Sequence, residues 1–328
     1  MRLFFYTLFF FISLYSFAID YSIIDKKVSN YPDYKSIDVL CFRISNDFIM
    51  DEEKTRAAFT WVALNIVYNN NYNVVYNNNM IAIYESEYQR LRTINKREVK
   101  IVNHVFKSRK ANCFGYAHLY RKLCEKLGVK SKVIYGVTKS NISDIDANKT
   151  HKDHAWNIVK VNNEWKLVDV TWAAGYQDTS TKKFIKKFND FYFFTNPKAL
   201  INHHFPVDPK WQLLAKPISK RAFFSTPIFY SDYFNANFRL SKTHDGTIYV
   251  SNEKKIITLF FDKIPKKNIL HYKYQNDSSI KKLKIKKNRE GQFFSKIKFS
   301  NKKNSHLVIF NNLKASIGLK VELKNHSI

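Results

Sequence analysis

The sequence predicts an α+β core followed by an all-β domain, and three patterns support this architecture. Apolar residues recur at the spacing of one helix face over residues 116–127. Asn162, Asn163 and Glu164 form a predicted turn between two apolar-rich runs, 156–161 and 165–170, which is typical of a β-hairpin. Beyond residue 217, apolar and polar residues alternate in several short runs such as 317–324, with turn residues between them. We therefore expect helices and an antiparallel sheet first, and then a β-sandwich of the immunoglobulin type over residues 218–328.

The first residues of the chain have the composition of a secretory signal peptide. A single basic residue, Arg2, is followed by an apolar run that is too short for a stop-transfer helix. Ser16 and Ala18 then form a small-x-small cleavage pattern. We expect cleavage after Ala18 and a mature protein that is secreted or periplasmic; an uncleaved anchor is the alternative. The expected domains are 1–18, 19–217 and 218–328.

The segment before the central helix contains two further predicted helices. Residues 19–45 include Pro32 and scattered tyrosines, and we expect them to be irregular. Acidic residues at 51–53 open a helix whose apolar residues continue to Ile66. Residues 84–106 also mix charged and apolar residues at helical spacing. These helices are expected to cover the core.

Cys113 lies where the central helix is predicted to begin. A thiol at a helix start meets unpaired backbone N–H groups and the positive end of the helix dipole, and both favour the nucleophilic thiolate. The alternative is a small buried hydrophobic residue, which is the interpretation we prefer for Cys124 on the same helix.

Two later residues complete a possible catalytic set. His154 opens the first strand of the predicted hairpin, and Asp169 lies on the second, so the hairpin brings them onto neighbouring strands. Together with Cys113 they form a candidate Cys-His-Asp triad, in which His154 is the general base and Asp169 orients it. The preceding stretch, 138–153, is polar, and we expect it to form a loop over the cleft.

At these positions the sequence resembles the transglutaminase-like superfamily of papain-fold cysteine enzymes. The motifs are Cys-Phe-Gly-Tyr-Ala at 113–117, His-Ala-Trp at 154–156 and Asp-Val-Thr-Trp at 169–172. A closing segment from His204 to Leu214 is similar to that of the kyphoscoliosis-peptidase branch. The resemblance covers roughly residues 50 to 215 and implies a papain- or transglutaminase-like fold. The chain departs from the family pattern just before the cysteine, where it has Ala111 and Asn112.

The resemblance implies acyl transfer through a thioester on an amide of a protein or peptide substrate, most consistent with a peptidase. Three alternatives remain open at this point. An amine acceptor would make the protein a crosslinking transglutaminase, and a site without activity would make it a binding module. The third alternative, removal of a glycan from asparagine, has no carbohydrate-specific feature to support it.

The charge of the chain predicts an anionic partner. The formal net charge is +28, and residues 251–328 hold 19 lysines and arginines against 5 acidic residues. Such a field attracts an anionic cell-envelope surface. The lysines alternate with apolar residues as on the solvent face of a sheet, and no nucleic-acid motif accompanies them, so we expect no nucleic-acid partner. The sequence does not indicate the oligomeric state.

The cysteines and histidines do not predict a metal or a cofactor. The chain has three cysteines and lacks paired spacings such as CxxC. His203 and His204 are adjacent, and we expect them to be structural. A disulfide between Cys41 and Cys124 is possible in an oxidising compartment, and it would leave Cys113 as the free thiol.

Overall fold

The computed structural model describes residues 19–69, 86–178, 181–241, 243–253, 255–265, 269–300 and 303–324. The predicted signal peptide, 1–18, lies outside the described residues. Within these ranges, no helix combines the length and the apolar character that crossing a membrane requires.

The helices are α1 Tyr21–Ser29, α2 Ile37–Asp47, α3 Asp51–Asn65, α4 Glu87–Ser108, α5 Cys113–Lys126, α6 Val170–Ala174, α7 Pro197–Leu200, α8 Lys220–Ser225 and α9 Ser231–Asn235. The strands are β1 Val67–Tyr68, β2 Lys110–Ala111, β3 Ser131–Thr138, β4 His154–Val161, β5 Glu164–Val168, β6 Gly175–Gln177, β7 Phe184–Lys186, β8 Phe193–Thr195, β9 His204–Pro206, β10 Ile228–Phe229, β11 Arg239–Leu240, β12 Thr247–Ser251, β13 Ile256–Lys263, β14 Leu270–Tyr274, β15 Lys281–Lys282, β16 Lys286–Lys287, β17 Phe293–Lys298, β18 Ser305–Asn311 and β19 Lys314–Lys324.

Helix α5 forms the centre of the first half of the molecule. Its predicted apolar face is fully buried, with no exposed surface on Tyr116, Leu119, Tyr120 or Leu123. The helix packs against strands β3 and β4 on one side and against α3 and α4 on the other. Because both sides are covered, the start of α5 is held in a fixed position relative to the sheet.

The sheet beneath α5 has five antiparallel strands in the order β8-β5-β4-β3-β9. Strands β4 and β5 form the predicted hairpin, and the two residues between them, Asn162 and Asn163, have positive φ angles of 52° and 65°. These angles are those of a type I′ turn, whose twist matches the twist of the strands it joins. The hairpin prediction is confirmed.

The expectation that residues 19–45 are irregular is wrong, because they contain helices α1 and α2. Side chains of Asp20 and Ser36 cap the two helix starts by accepting from backbone N–H groups. Each short helix buries an apolar face against the core, with Ile24 and Val28 on α1 and Leu40 on α2 among the buried residues. Tertiary packing therefore stabilises helices that are too short to form on their own.

The second half of the described chain is built mainly of strands, as predicted. A six-stranded sheet has the order β10-β19-β18-β14-β15, with β12 also pairing to β19, and a four-stranded sheet has the order β11-β13-β17-β16. Apolar side chains from both sheets share one core. The predicted fold class, a mixed α+β core followed by an all-β part, is confirmed; the boundary at residue 218 stays a prediction.

One predicted strand is divided between the two sheets. Apolar and polar residues also alternate over 283–286, which is typical of one strand, but β15 ends at Lys282 and pairs with β14 in the larger sheet, whereas β16 begins at Lys286 and pairs with β17 in the smaller one. Leu283 lies at the crossing and is buried in the shared core. The chain therefore passes from the larger sheet to the smaller one between residues 282 and 286.

The stretch 138–153 is anchored to the second half of the chain rather than lying free. Ile142 and Ile145 pack with Ile228, and the Asp146 backbone N–H donates to the Phe224 carbonyl at 3.0 Å. These apolar contacts and backbone hydrogen bonds hold the loop in place. The stretch that the sequence predicts to be polar therefore also contains buried apolar side chains.

Candidate functional site

Cys113 is the first residue of α5, and its side chain is partly exposed. Asn112 caps the helix, since its side-chain oxygen accepts from the Gly115 backbone N–H at 3.1 Å. Burial alone would raise the pKa of the Cys113 thiol, but the hydrogen bond and charge of His154, together with the Ala155 backbone N–H, lower it below its ordinary value. The site therefore favours the thiolate.

His154 and Asp169 lie in direct contact with each other. The His154 Nε2 atom is 2.7 Å from Asp169 Oδ2, and both side chains are buried. Since Nε2 faces the carboxylate, Nδ1 is the nitrogen left for the thiol. Burial would lower the pKa of His154, but the charge and hydrogen bond of Asp169 and the contact with Cys113 raise it to about 10. The imidazolium is thus stabilised from both sides.

Asp169 sits just beyond the strand on which it was expected. Strand β5 ends at Val168, and Asp169 is the N-cap of the short helix α6. Its Oδ1 atom accepts from the backbone N–H groups of Thr171 at 2.8 Å and Trp172 at 3.0 Å. Burial would raise the pKa of this carboxyl, but His154, its hydrogen bonds and His204 hold it well below the ordinary range.

The structure thus brings together the three residues that the sequence singled out. It also places a fourth residue at the site, His204 on β9, whose Nε2 atom is 2.8 Å from the same Asp169 Oδ2. From the sequence alone, His204 is expected to be structural. The available signal was its position at the start of the closing segment that resembles the kyphoscoliosis-peptidase branch.

Asn157 is a second residue that sequence reasoning missed. It is fully buried on β4, and its side-chain amide donates to the Ala117 carbonyl of α5 at 3.0 Å. This bond connects the helix that carries Cys113 to the strand that carries His154. The spacing between thiol and imidazole therefore depends on it.

Two tryptophans form an apolar wall around the imidazoles. The Trp172 ring centroid lies 5.7 Å from that of His154 and 4.5 Å from that of His204. Trp156 lies at 6.1 Å from His154 and at 5.1 Å from His204. Excluding water in this way strengthens every charge interaction within the site.

Tyr68 lies beside the start of α5. Strand β1 pairs in parallel with β2, which aligns Tyr68 with Ala111, and the Tyr68 ring lies 6.4 Å from that of Tyr116. Burial raises the pKa of the Tyr68 phenol, and the charges of Cys113 and Asp169 raise it further. A protonated hydroxyl is therefore available near the nucleophile.

Three donor atoms of the site are close enough together to hold a metal ion. In the described ranges, His154, Asp169 and His204 offer ligand atoms that lie within 4.8 Å of one another. Both imidazoles, however, direct Nε2 at the same carboxylate oxygen, as hydrogen-bond donors do. We therefore describe the cluster as a hydrogen-bonded network, and the expectation that no metal binds stays a prediction.

The other two cysteines are free thiols in the structure. Cys41 and Cys124 are both buried, and burial is the main cause that raises the pKa of each to about 12. Such thiols are chemically inert compared with Cys113. Cys113, by contrast, is the partly exposed cysteine, and its pKa is lowered.

The arrangement is that of papain-like cysteine proteins. In this class a helix begins with a cysteine and packs on an antiparallel sheet that carries a histidine, and an aspartate lies at the end of the neighbouring strand. Comparison with known sequences gives the family. Residues 41–170 match the model of the transglutaminase-like superfamily. Members of this superfamily are often cysteine enzymes.

Individual relatives support the branch that the motifs indicated. The chain is 30% identical over 210 residues to kyphoscoliosis peptidase of Mus musculus and, equally, to that of Homo sapiens, covering 64% of this chain and 29% of each relative. It is 26% identical over 157 residues to Hillarin of Drosophila melanogaster, covering 44% of this chain and 19% of the relative. The chain thus spans less than a third of the length of these relatives. The predicted resemblance to the kyphoscoliosis-peptidase branch is confirmed.

Proposed function

We propose that this protein is a transglutaminase-like cysteine enzyme that acts on amide bonds of protein substrates through a thioester on Cys113. The observation that carries the proposal is the connected set at the start of α5. There Asp169 holds His154 at 2.7 Å, and His154 in turn acts on Cys113 so as to lower the pKa of its thiol. A thiolate that faces an imidazolium is the activated nucleophile that acyl transfer requires.

The proposed reaction has two stages. The Cys113 thiolate adds to the amide carbonyl, and the resulting oxyanion accepts from the Cys113 backbone N–H and the Tyr68 hydroxyl. His154 then gives its proton to the departing amine, the C–N bond breaks, and a thioester remains. In the second stage, His154 removes a proton from the acceptor, which attacks the thioester and releases the thiolate.

The acceptor decides the class of enzyme. If water attacks the thioester, the protein is a peptidase, and similarity to the kyphoscoliosis peptidases supports this choice. If a primary amine attacks it, the protein is a crosslinking transglutaminase. We propose the peptidase. A catalytically silent binding module is the outcome to be tested against both.

The test measures the reactivity of the thiol and then the acceptor. Iodoacetamide alkylation of Cys113 is followed from pH 5 to 9 in the wild type and in His154→Ala, with Cys113→Ala as the blank. We expect alkylation that persists below pH 7 and is lost in His154→Ala. Fluorescent casein, with and without a dansylated primary amine, then distinguishes cleavage from amine incorporation. If Cys113 is alkylated with the pH dependence of an ordinary thiol in both proteins, the proposal of an enzyme is refuted and the binding module remains.

We also propose that the protein acts outside the cytosol, because residues 1–18 have the composition of a signal peptide. The test is to express the full chain in a Gram-negative host and to sequence the N-terminus of the periplasmic product. Cleavage after Ala18 is expected, whereas an intact N-terminus in the cytosolic fraction would refute it.

For the basic C-terminal part, we propose that it contacts an anionic cell-envelope surface. Exposed lysines on β15, β16 and β17 support this, among them Lys282, Lys286 and Lys296. Co-sedimentation with vesicles of phosphatidylglycerol, compared with phosphatidylcholine vesicles and with duplex DNA, tests it. Equal binding to both vesicle types would contradict the proposal.

A further inference from the structure

We propose that His204 is a positioning residue that fixes Asp169, and through it His154, so that the site is a Cys-His-Asp-His network. The inference rests on the proposed function, because it assigns His204 a role in orienting the general base. His204 touches neither the thiol nor the reacting carbonyl.

The hydrogen bonds around Asp169 carry the argument. Its Oδ1 atom accepts from two backbone N–H groups of α6, and its Oδ2 atom accepts from His154 and His204 at 2.7 Å and 2.8 Å. Four donors surround a carboxylate that has no exposed surface. A buried carboxylate without such donors would be strongly destabilised, so each one contributes to keeping Asp169 charged and correctly oriented.

The protonation state of His204 follows from the same contacts. To donate to Asp169, its Nε2 atom must carry the proton. Its Nδ1 atom is buried and has no hydrogen-bond partner among the residues that the structure describes. A second proton would therefore be unpaired and desolvated, so the ring is neutral.

The groups that act on this histidine agree with that assignment. Burial lowers the pKa of His204, as does the charge of His154, while Asp169 and Asp153 act in the opposite direction. The neighbouring His203 is also held neutral, since burial is the largest cause that lowers its pKa to about 3. Only one of the two imidazoles on Asp169, that of His154, thus carries charge.

The geometry explains why a second imidazole is useful. His154 contacts Asp169 through Oδ2 alone, so a rotation of the carboxylate would move that oxygen away from Nε2. His204 holds Oδ2 from another direction, and Trp172 packs against both rings. The carboxylate is therefore clamped between α6 and β9.

The position of His204 is itself fixed by the surrounding strands. Strand β9 pairs with β3, which aligns His204 with Thr138. The residue before it, His203, hydrogen-bonds the Phe229 carbonyl through Nε2, and the Lys139 backbone N–H donates to the His203 carbonyl at 2.9 Å. Three separate contacts thus restrain the start of β9.

The experiment compares His204→Leu, which removes the donor, with His204→Gln, which retains an N–H donor. His244→Gln serves as the control, since His244 is a partly buried histidine whose Nε2 accepts from the Phe260 backbone in the C-terminal part. The readout is the pH at which Cys113 alkylation by iodoacetamide reaches half its maximum, together with the thermal midpoint of each protein.

We expect His204→Leu to raise the pH of half-maximal Cys113 alkylation by about one unit. His204→Gln should return this pH most of the way to the wild-type value. A folded His204→Leu protein with the wild-type profile would overturn the inference, as would a shift that His204→Gln does not reduce. If His204→Leu does not fold, His204→Gln tests the inference by itself. This variant keeps an N–H donor, so losing the wild-type pH dependence of Cys113 alkylation would contradict positioning by that donor. An ordinary thiol in the wild type would instead refute the proposed function.

Discussion

The Cys113→Ala substitution tests whether Asp169 alone keeps His154 protonated at neutral pH and above. The pKa of His154 is raised to about 10 in the folded protein, and Asp169 contributes more to this than Cys113 does. A raised pKa stabilises the fold fully below the unfolded value of about 6.5, and this contribution is lost as the pH rises through about 10. In the variant, the free energy of unfolding should therefore fall with pH across this window.

The wild type behaves differently because the thiol compensates. Between about pH 6.5 and 8.5, the unfolded chain carries one proton on the thiol and none on the imidazole. The folded pair also carries one proton, now on His154, since the pKa of Cys113 is lowered. No net proton is exchanged on unfolding, so the pair adds no pH dependence in the wild type. In the alanine variant, one proton is lost, which corresponds to about 1.4 kcal/mol per pH unit and about 2 kcal/mol between pH 7 and 8.5.

The assay is urea unfolding under reducing conditions, followed by tryptophan fluorescence at four pH values from 7 to 8.5. All five tryptophans lie between residues 61 and 211, so the signal reports on the part of the chain that contains the site. Lys139 and Lys186, with pKa values lowered to about 7 and about 8, titrate in the same window. Their effect cancels in the difference between variant and wild type.

Cys124→Ala is the matched control for this experiment. It removes a buried thiol from the same helix, and because burial raises the pKa of Cys124 to about 12, that thiol stays protonated throughout the window. Its pH profile should run parallel to that of the wild type. A Cys113→Ala profile that also runs parallel would refute the reasoning, because His154 would then be neutral without the thiolate.

Three further substitutions follow from the geometry. Gly136→Ala should lower the free energy of unfolding in urea by about 3 kcal/mol, because the added Cβ would lie 2.2 Å from the Phe205 carbonyl oxygen. An unchanged urea midpoint would show that β9 moves to make room for the methyl group. Asn157→Leu should lower stability by about 2 kcal/mol by leaving the Ala117 carbonyl without its donor, and should slow alkylation of the thiol; a stability loss with unchanged alkylation would contradict its spacing role. Tyr68→Phe should lower kcat/KM for casein cleavage about tenfold without changing the alkylation rate, whereas full activity would exclude its hydroxyl as an oxyanion donor.

Much of the central helix and the hairpin could be predicted because their signals are local. The apolar rhythm after Cys113 specifies one face of a helix, and the pair Asn162-Asn163 is suited to a turn that needs positive φ angles. These two elements alone determine where Cys113 and His154 lie relative to the core. The sequence could therefore single out the candidate residues Cys113 and His154 before their geometry was known.

The parts that could not be predicted depend on contacts between distant segments. Helices α1 and α2 have weak local patterns, and they form because the core accepts their apolar faces. His204 shares a carboxylate with His154 only because β9 pairs with β3 on the far side of β4. No spacing rule links His204 to Asp169, so a buried structural histidine was the reasonable expectation.

Lys139 follows β3, has no exposed surface and contacts the segment that leads into the all-β part of the chain. Its ammonium group donates to the carbonyl oxygens of Phe223 at 2.7 Å and Thr226 at 2.8 Å, in the segment that leads into the C-terminal sheets. Without that segment, the ammonium would lose these acceptors in an apolar environment, and β3 and β9 would lose a shared anchor. Strand β9 carries His204, which hydrogen-bonds Asp169. A change in the packing of the C-terminal part that moved β9 would therefore change this hydrogen bond. We propose that an anionic surface, if it binds this part, would in this way change the orientation of His154. Activity measured with and without phosphatidylglycerol vesicles would then differ in the wild type and would not differ in Lys139→Met.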